Sequence, residues 1–124
     1  MVHQKTFSLS TRLKSVTFAL SGLWLMVRTQ HNAWVHLAAT MLVVVAGFYL
    51  GVSISDWRWL IVAIVLVWIG ETLNTAFEHL CDVVSPEFHI SVKRSKDIAA
   101  GAVLICAAGA ACIGANVFWP YLFR

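Results

Sequence analysis

Apolar and polar positions alternate along this chain in blocks that predict four helices. Residues 11–28 carry an incomplete apolar stripe among basic side chains, which predicts an amphipathic helix over about 9–28, lying in a membrane interface. Three longer apolar stretches follow, and about 20 such residues suffice to cross a bilayer. They predict membrane spans at about 32–50, 57–82 and 97–119.

The connecting segments are short and polar. Residues 29–36 (TQHNAWVH) form a polar step ahead of the first span, and residues 51–56 (GVSISD) form a tight turn after it. Residues 85–97 begin with the turn signal Ser85-Pro86 and end at Asp97, a candidate N-cap for the last span. The last span is dense in alanine and glycine, which lets helix backbones approach closely within a membrane.

Composition places the chain among integral membrane proteins. Of its 124 residues, 60% are hydrophobic and 12% charged, against about 45–50% and about 25% in soluble domains. We therefore expect one all-α membrane domain over residues 1–124. The net charge of +3 does not indicate nucleic-acid binding, because the basic residues are split between two short segments.

The basic residues also predict an orientation. Most of them precede the first or the third span: Lys5, Arg12, Lys14, Arg28, Lys93, Arg94 and Lys96. Arg58 and Arg124 fall on the other side. By the positive-inside rule, the N-terminus and the 85–97 loop are cytoplasmic and the C-terminus faces outward.

The second span carries an acidic stripe in its second half. On a helix, Glu71, Asn74, Glu78 and Asp82 fall within about 80° of one another. Ionisable groups at membrane depth are expensive and by default indicate a functional site. Two plainer interpretations stay open, an inter-helix polar clamp and a helix end at which carboxylates meet water.

These groups suit phosphate chemistry at a membrane surface. Mg²⁺ is often held by one or two carboxylates plus substrate phosphates, a role open to Glu78. Glu71, two turns deeper, is placed to accept a proton from a lipid hydroxyl, and Asn74 could orient either partner. Lys96 offers a point charge for phosphate, although positive-inside bias explains it equally well.

Other chemistries find little support. The sequence contains no Walker motif, Gly-rich kinase loop or nucleophile elbow. The three cysteines form no disulfide framework and no metal-ligand spacing. We expect His31, His36, His79 and His89 to be interfacial hydrogen-bonding residues.

Three segments together resemble one known family. They are Glu71-Thr-Leu-Asn74-Thr-Ala-Phe-Glu78 with Asp82, then Glu87-Phe-His89, then Lys96-Asp97-Ile-Ala-Ala-Gly101-Ala-Val. As a set they resemble the prokaryotic diacylglycerol kinases, a family that includes undecaprenol kinases. The resemblance extends over about residues 12–119, and Gly22-Leu23 and Asn32…His36 fit the undecaprenol kinase branch.

The resemblance implies a homotrimer with active sites between subunits, and ATP and Mg²⁺ as cofactors. In the family, the residue that corresponds to Glu71 is the general base, and the residue that corresponds to Glu78 is the metal ligand. Positions that line the nucleotide or the reacting centre correspond to Asn74, Glu87, His89, Lys96 and Asp97. A basic N-terminal position corresponds to Arg12 or Lys14.

Gln30 departs from the family pattern, which has a metal-sharing glutamate there. Glutamine offers a neutral oxygen in place of a charged one, so metal affinity should fall. Three outcomes follow: a weaker kinase, a kinase with a single strong carboxylate, or a fold that has lost the reaction.

We therefore expect an ATP-dependent lipid kinase of the bacterial inner membrane, acting on diacylglycerol or undecaprenol in phospholipid or lipid-carrier metabolism. One alternative is a catalytically weak or silent scaffold of the same fold. Another is a small proton- or cation-coupled carrier that uses Glu71 and Glu78 as a relay.

Overall fold

A computed structural model describes residues 8–123. They form four helices, α1 (Leu9–Thr29), α2 (His31–Leu50), α3 (Ile54–Val84) and α4 (Ile90–Leu122), with no strand in this part of the chain. Lys5 and Arg124, which entered the orientation prediction, lie outside the described residues. The all-α prediction is confirmed.

Three of the helices, α2, α3 and α4, are long and apolar enough to cross a membrane. Their large apolar side chains are mostly exposed on the single chain, as expected where lipid or other chains provide the surroundings. At about 1.5 Å per residue, α3 and α4 reach about 45–50 Å, whereas a hydrocarbon core is about 30 Å thick. The ends of both helices therefore extend beyond that core.

The pairing of α3 with α4 is the most extensive contact of the fold. At Gly70 the two helices approach so closely that a Cβ would stand 3.0 Å from the Cys106 Sγ. Helix α2 lies against the same pair, and the end of α1 buries Met26. Glu71 follows Gly70 directly, so this tight packing fixes the backbone that carries it.

A small apolar core closes the end of the bundle farthest from the acidic stripe. It consists of Val52, Leu60 and Val117, with half-buried side chains around them. Beside it, Tyr121 on α4 donates a hydrogen bond of 2.6 Å to Asp56 on α3 and accepts one from the Ser53 amide. These bonds tie the α2–α3 turn to the last turn of α4.

The turns follow from local backbone chemistry. Gly51 takes the left-handed conformation, with φ of 61°, which ends α2 as glycine commonly does. Ser53 caps α3 by accepting a hydrogen bond from the Asp56 amide. Between α1 and α2 the break is a single extended residue, Gln30, so the polar step predicted over 29–36 is largely helical.

One boundary prediction is wrong. Asp97 does not cap the last span, because α4 begins at Ile90 and His89 occupies the N-cap position. The His89 Nδ1 accepts a hydrogen bond from the Ser91 amide. Lys93 and Asp97 form an i,i+4 ion pair in the polar first turns of α4, with an Nζ–Oδ2 distance of 2.6 Å. Such pairs stabilise a helix.

Helix α1 matches the predicted surface helix in extent. Its side chains are exposed nearly throughout, and Met26 is its buried residue. Its placement in a membrane interface stays a prediction.

Candidate functional site

The buried polar residues of the described chain all lie on one stretch of α3. Glu71 is 1% exposed, and Asn74 and Thr75 are each 6% exposed. Burying such groups among apolar helices is unfavourable unless they find partners. This stretch is where the sequence predicted a functional stripe, and it lies on the helix side that packs into the bundle.

Each of these three residues holds a fully buried oxygen without a hydrogen-bond partner. The atoms are Glu71 Oε2, Asn74 Oδ1 and Thr75 Oγ1. An unsatisfied buried polar group typically costs about 1–3 kcal/mol. Three such atoms within five residues form a concentration of hydrogen-bonding capacity suited to a polar ligand.

One turn farther along α3, Asn74 is joined to Glu78. The Asn74 Nδ2 donates to Glu78 Oε1 at 3.3 Å, and Glu78 is half-buried. The structure therefore orients the Glu78 carboxylate through Asn74.

Glu78 offers a metal ion a half-buried carboxylate. The described residues contain no group of three or more His, Cys, Asp or Glu side chains that could enclose a metal ion. A single carboxylate such as that of Glu78 nevertheless fits Mg²⁺ shared with substrate phosphates, the usual manner of binding for that ion. Gln30, at the α1–α2 break, makes no hydrogen bond with Glu78 in the described structure.

At the end of α3, Asp82 is paired across to α4. The Lys96 Nζ lies 2.8 Å from Asp82 Oδ1, and Asp97 is engaged by Lys93. The sequence-predicted Lys96 therefore lies against the acidic stripe, whereas Asp97 is paired within α4.

The remaining predicted site residues are more peripheral. Glu87 and His89 lie in the exposed α3–α4 connection, and Arg12 lies on exposed α1. The structure thus assembles Glu71, Asn74 and Glu78 along α3, on an element different from those that carry these three residues.

His36 is a site residue that sequence reasoning assigned only to interfacial hydrogen bonding. Its Nε2 lies 3.3 Å from Glu71 Oε2, and its side chain is 14% exposed. The two atoms are in contact but not aligned as a hydrogen bond, so Oε2 remains unpaired. The sequence signals were its position directly before an apolar run and the fit of Asn32…His36 to the undecaprenol kinase branch.

An apolar groove of about 530 Å³ begins at His36. Helices α2, α3 and α4 form its walls and floor, largely with alanine and branched aliphatic side chains, and it continues to Phe118 and Leu122 at the far end. Its polar lining residues are His36 and Thr40. Hydrocarbon-compatible space therefore leads to the residue that touches the buried carboxylate.

Sequence comparison relates this chain to known proteins. A sequence model of the family described as prokaryotic diacylglycerol kinase matches residues 17–118. The undecaprenol kinase of Bacillus subtilis is 38% identical over 109 residues, covering 88% of this chain and 89% of that protein. The diacylglycerol kinase of Synechocystis sp. is 34% identical over 111 residues, covering 89% of this chain and 63% of that protein.

Proposed function

The chain belongs to the prokaryotic diacylglycerol kinase family, and on that premise we propose that it transfers the γ-phosphoryl group of ATP to the hydroxyl of a membrane lipid alcohol. The observation that carries the proposal is the buried Glu71 carboxylate in contact with His36, which lines one end of an apolar groove. A hydrocarbon chain in that groove would bring its terminal hydroxyl towards Glu71.

Glu71 acts as the general base. The proton of the acceptor hydroxyl passes to the Glu71 carboxylate as the alcohol oxygen bonds to the γ-phosphorus. The bond from that phosphorus to the β–γ bridging oxygen breaks, and ADP leaves. Most of the acceleration in such transfers comes from positioning and charge neutralisation, which is why a rigid carboxylate at a close helix crossing is suitable.

Glu78 is the metal ligand, and Asn74 holds it. Mg²⁺, when bound with ATP, neutralises charge on the reacting phosphates. The hydrogen bond from Asn74 fixes one carboxylate oxygen of Glu78 and leaves the other for the ion. Both residues lie on the same face of α3 as Glu71, so a phosphate held through the ion would lie on the side of the helix that carries the base.

Lys96 supplies positive charge for the nucleotide phosphates. Its Nζ is held by Asp82, which places the cation beside the end of the stripe before ATP arrives. We assign Asp97, Glu87, His89 and Arg12 to the surroundings of the nucleotide. Contacts from neighbouring subunits of a homotrimer would complete those surroundings, with the N-terminus and the site on the cytoplasmic side of the inner membrane.

The names of the two relatives supply two acceptors to test, undecaprenol and diacylglycerol. Both are alcohols with long hydrocarbon chains, as the groove requires. Purified protein in lipid, given labelled ATP, Mg²⁺ and either alcohol, should produce labelled lipid phosphate. Absence of label with every acceptor, in a protein that remains folded, would contradict the proposal.

A catalytically weak or silent scaffold is the second candidate, because Gln30 replaces a charged residue of the family pattern. The same assay separates the two candidates. If the protein is a scaffold, the wild type should produce no labelled lipid, whereas the Gln30→Glu variant should produce it. No observation favours a carrier over a lipid kinase.

A further inference from the structure

His36 is the residue through which α2 touches both the buried carboxylate and the groove. It contacts Glu71 Oε2 at 3.3 Å, and it lines the groove at the end nearest Glu71. The first contact is with Glu71 on α3. The second is with a groove that α2, α3 and α4 line together.

The polar contact that the structure gives the Glu71 side chain is the one with His36. Gly70, beside it, packs on Cys106 of α4, and the buried Met26 of α1 accepts a hydrogen bond from Thr72, the next residue of α3. Along α3 itself, Asn74 is turned to Glu78. A buried carboxylate needs a donor to hold one orientation, and the imidazole is the donor-bearing ring within reach.

We propose that His36 is a positioning residue for the phosphoryl transfer, holding the Glu71 carboxylate in the orientation that faces the acceptor hydroxyl. The proposal rests on the assignment of Glu71 as base. The imidazole needs only to move from contact to alignment to donate a hydrogen bond to Oε2, and catalytic hydrogen bonds are often poorly aligned before substrate is bound.

Thr40, one turn farther along α2, offers a matched control. Its Oγ1 accepts a hydrogen bond from Trp68 Nε1 at 3.0 Å and it lines the same groove. Thr40→Val therefore disturbs the same α2–α3 contact and the same groove but leaves Glu71 untouched. An effect of a His36 substitution that Thr40→Val does not reproduce is therefore due to the lost contact with the Glu71 carboxylate.

The test compares His36→Leu, which removes the donor, with His36→Gln, which keeps one. His36→Leu should lower kcat by about 100-fold, the loss that a misplaced group can cause, with little change in KM for ATP. His36→Gln should recover at least a tenth of the wild-type kcat. His31→Leu, which removes an imidazole at the exposed start of the same helix, should stay close to wild type. Thermal unfolding in detergent verifies that each variant is folded.

An infrared measurement tests the contact without turnover. The carboxyl band of Glu71 is the one lost in Glu71→Gln, and it should move in His36→Leu but not in Thr40→Val. A wild-type kcat in His36→Leu, no recovery in His36→Gln, or an unmoved band would each overturn the role of His36. A wild-type protein that phosphorylates no lipid would instead contradict the proposed function, and the infrared result would still report on the contact.

Discussion

Lys96 on α4 and Asp82 on α3 form an ion pair, with an Nζ–Oδ1 distance of 2.8 Å, at the end of the acidic stripe. The lysine that the sequence offered for phosphate binding is thus already held by the outermost carboxylate of that stripe. Surface ion pairs contribute little to stability, so the pair matters mainly for where it keeps the Lys96 ammonium group.

Replacing Lys96 by methionine should weaken nucleotide use. The substitution removes the charge proposed to meet the ATP phosphates, and hydrogen bonds to charged groups are worth about 1.5–3 kcal/mol. Initial rates against ATP concentration should show kcat/KM lower by about tenfold or more. Lys93→Met is the control, because its partner lies within α4 and both side chains are exposed. Equal losses in the two variants would mean that the effect is one of general surface charge.

Replacing Glu71 by glutamine should stop lipid phosphorylation while leaving the protein folded. Loss of a general base typically lowers the rate by about 100-fold or more, and glutamine preserves the size of the side chain. The measurement is transfer of label from ATP to lipid. His79→Gln, at an exposed position of the same helix, should retain activity. Turnover of Glu71→Gln at the wild-type rate would remove Glu71 from the role of base.

Gln30→Glu should reduce the Mg²⁺ concentration needed for half-maximal activity several-fold. A second carboxylate adds negative charge and an oxygen ligand of the kind that Mg²⁺ prefers. Mg²⁺ titrations at saturating ATP measure the change. Thr29→Glu adds the same charge at the neighbouring exposed position and controls for a general electrostatic effect. An unchanged or higher Mg²⁺ requirement in Gln30→Glu would show that position 30 does not serve the metal.

Tyr121→Phe should affect stability but not catalysis. It deletes the hydroxyl that joins Asp56 and the Ser53 amide, and a hydrogen bond is worth about 1 kcal/mol net. Thermal unfolding in detergent should shift downward, whereas kcat and KM should not change, because these bonds lie at the opposite end of the bundle from Glu71. Trp119→Phe, an exposed aromatic substitution on the same turn, serves as control. A changed kcat in Tyr121→Phe would contradict this prediction and would show that the two ends of the bundle are coupled.

The sequence alone determined that the chain forms apolar helices and that the acidic stripe lies on one face of α3. Apolar runs near the length of a membrane span fix α2, α3 and α4, and the helical period places Glu71, Asn74 and Glu78 on one side of α3. Both properties are local, since they depend on residues within the same helix. The structure adds that this side is the buried one.

Only the tertiary structure decided which groups meet across helices. The start of α4 at Ile90 depends on a cap by His89 and on paired charges in a polar segment, which apolar periodicity does not register. The contacts of His36 with Glu71 and of Lys96 with Asp82 depend on how helices cross. Residues 35 and 14 positions apart carry no periodic signal, because close helix packing rather than chain spacing brings them together.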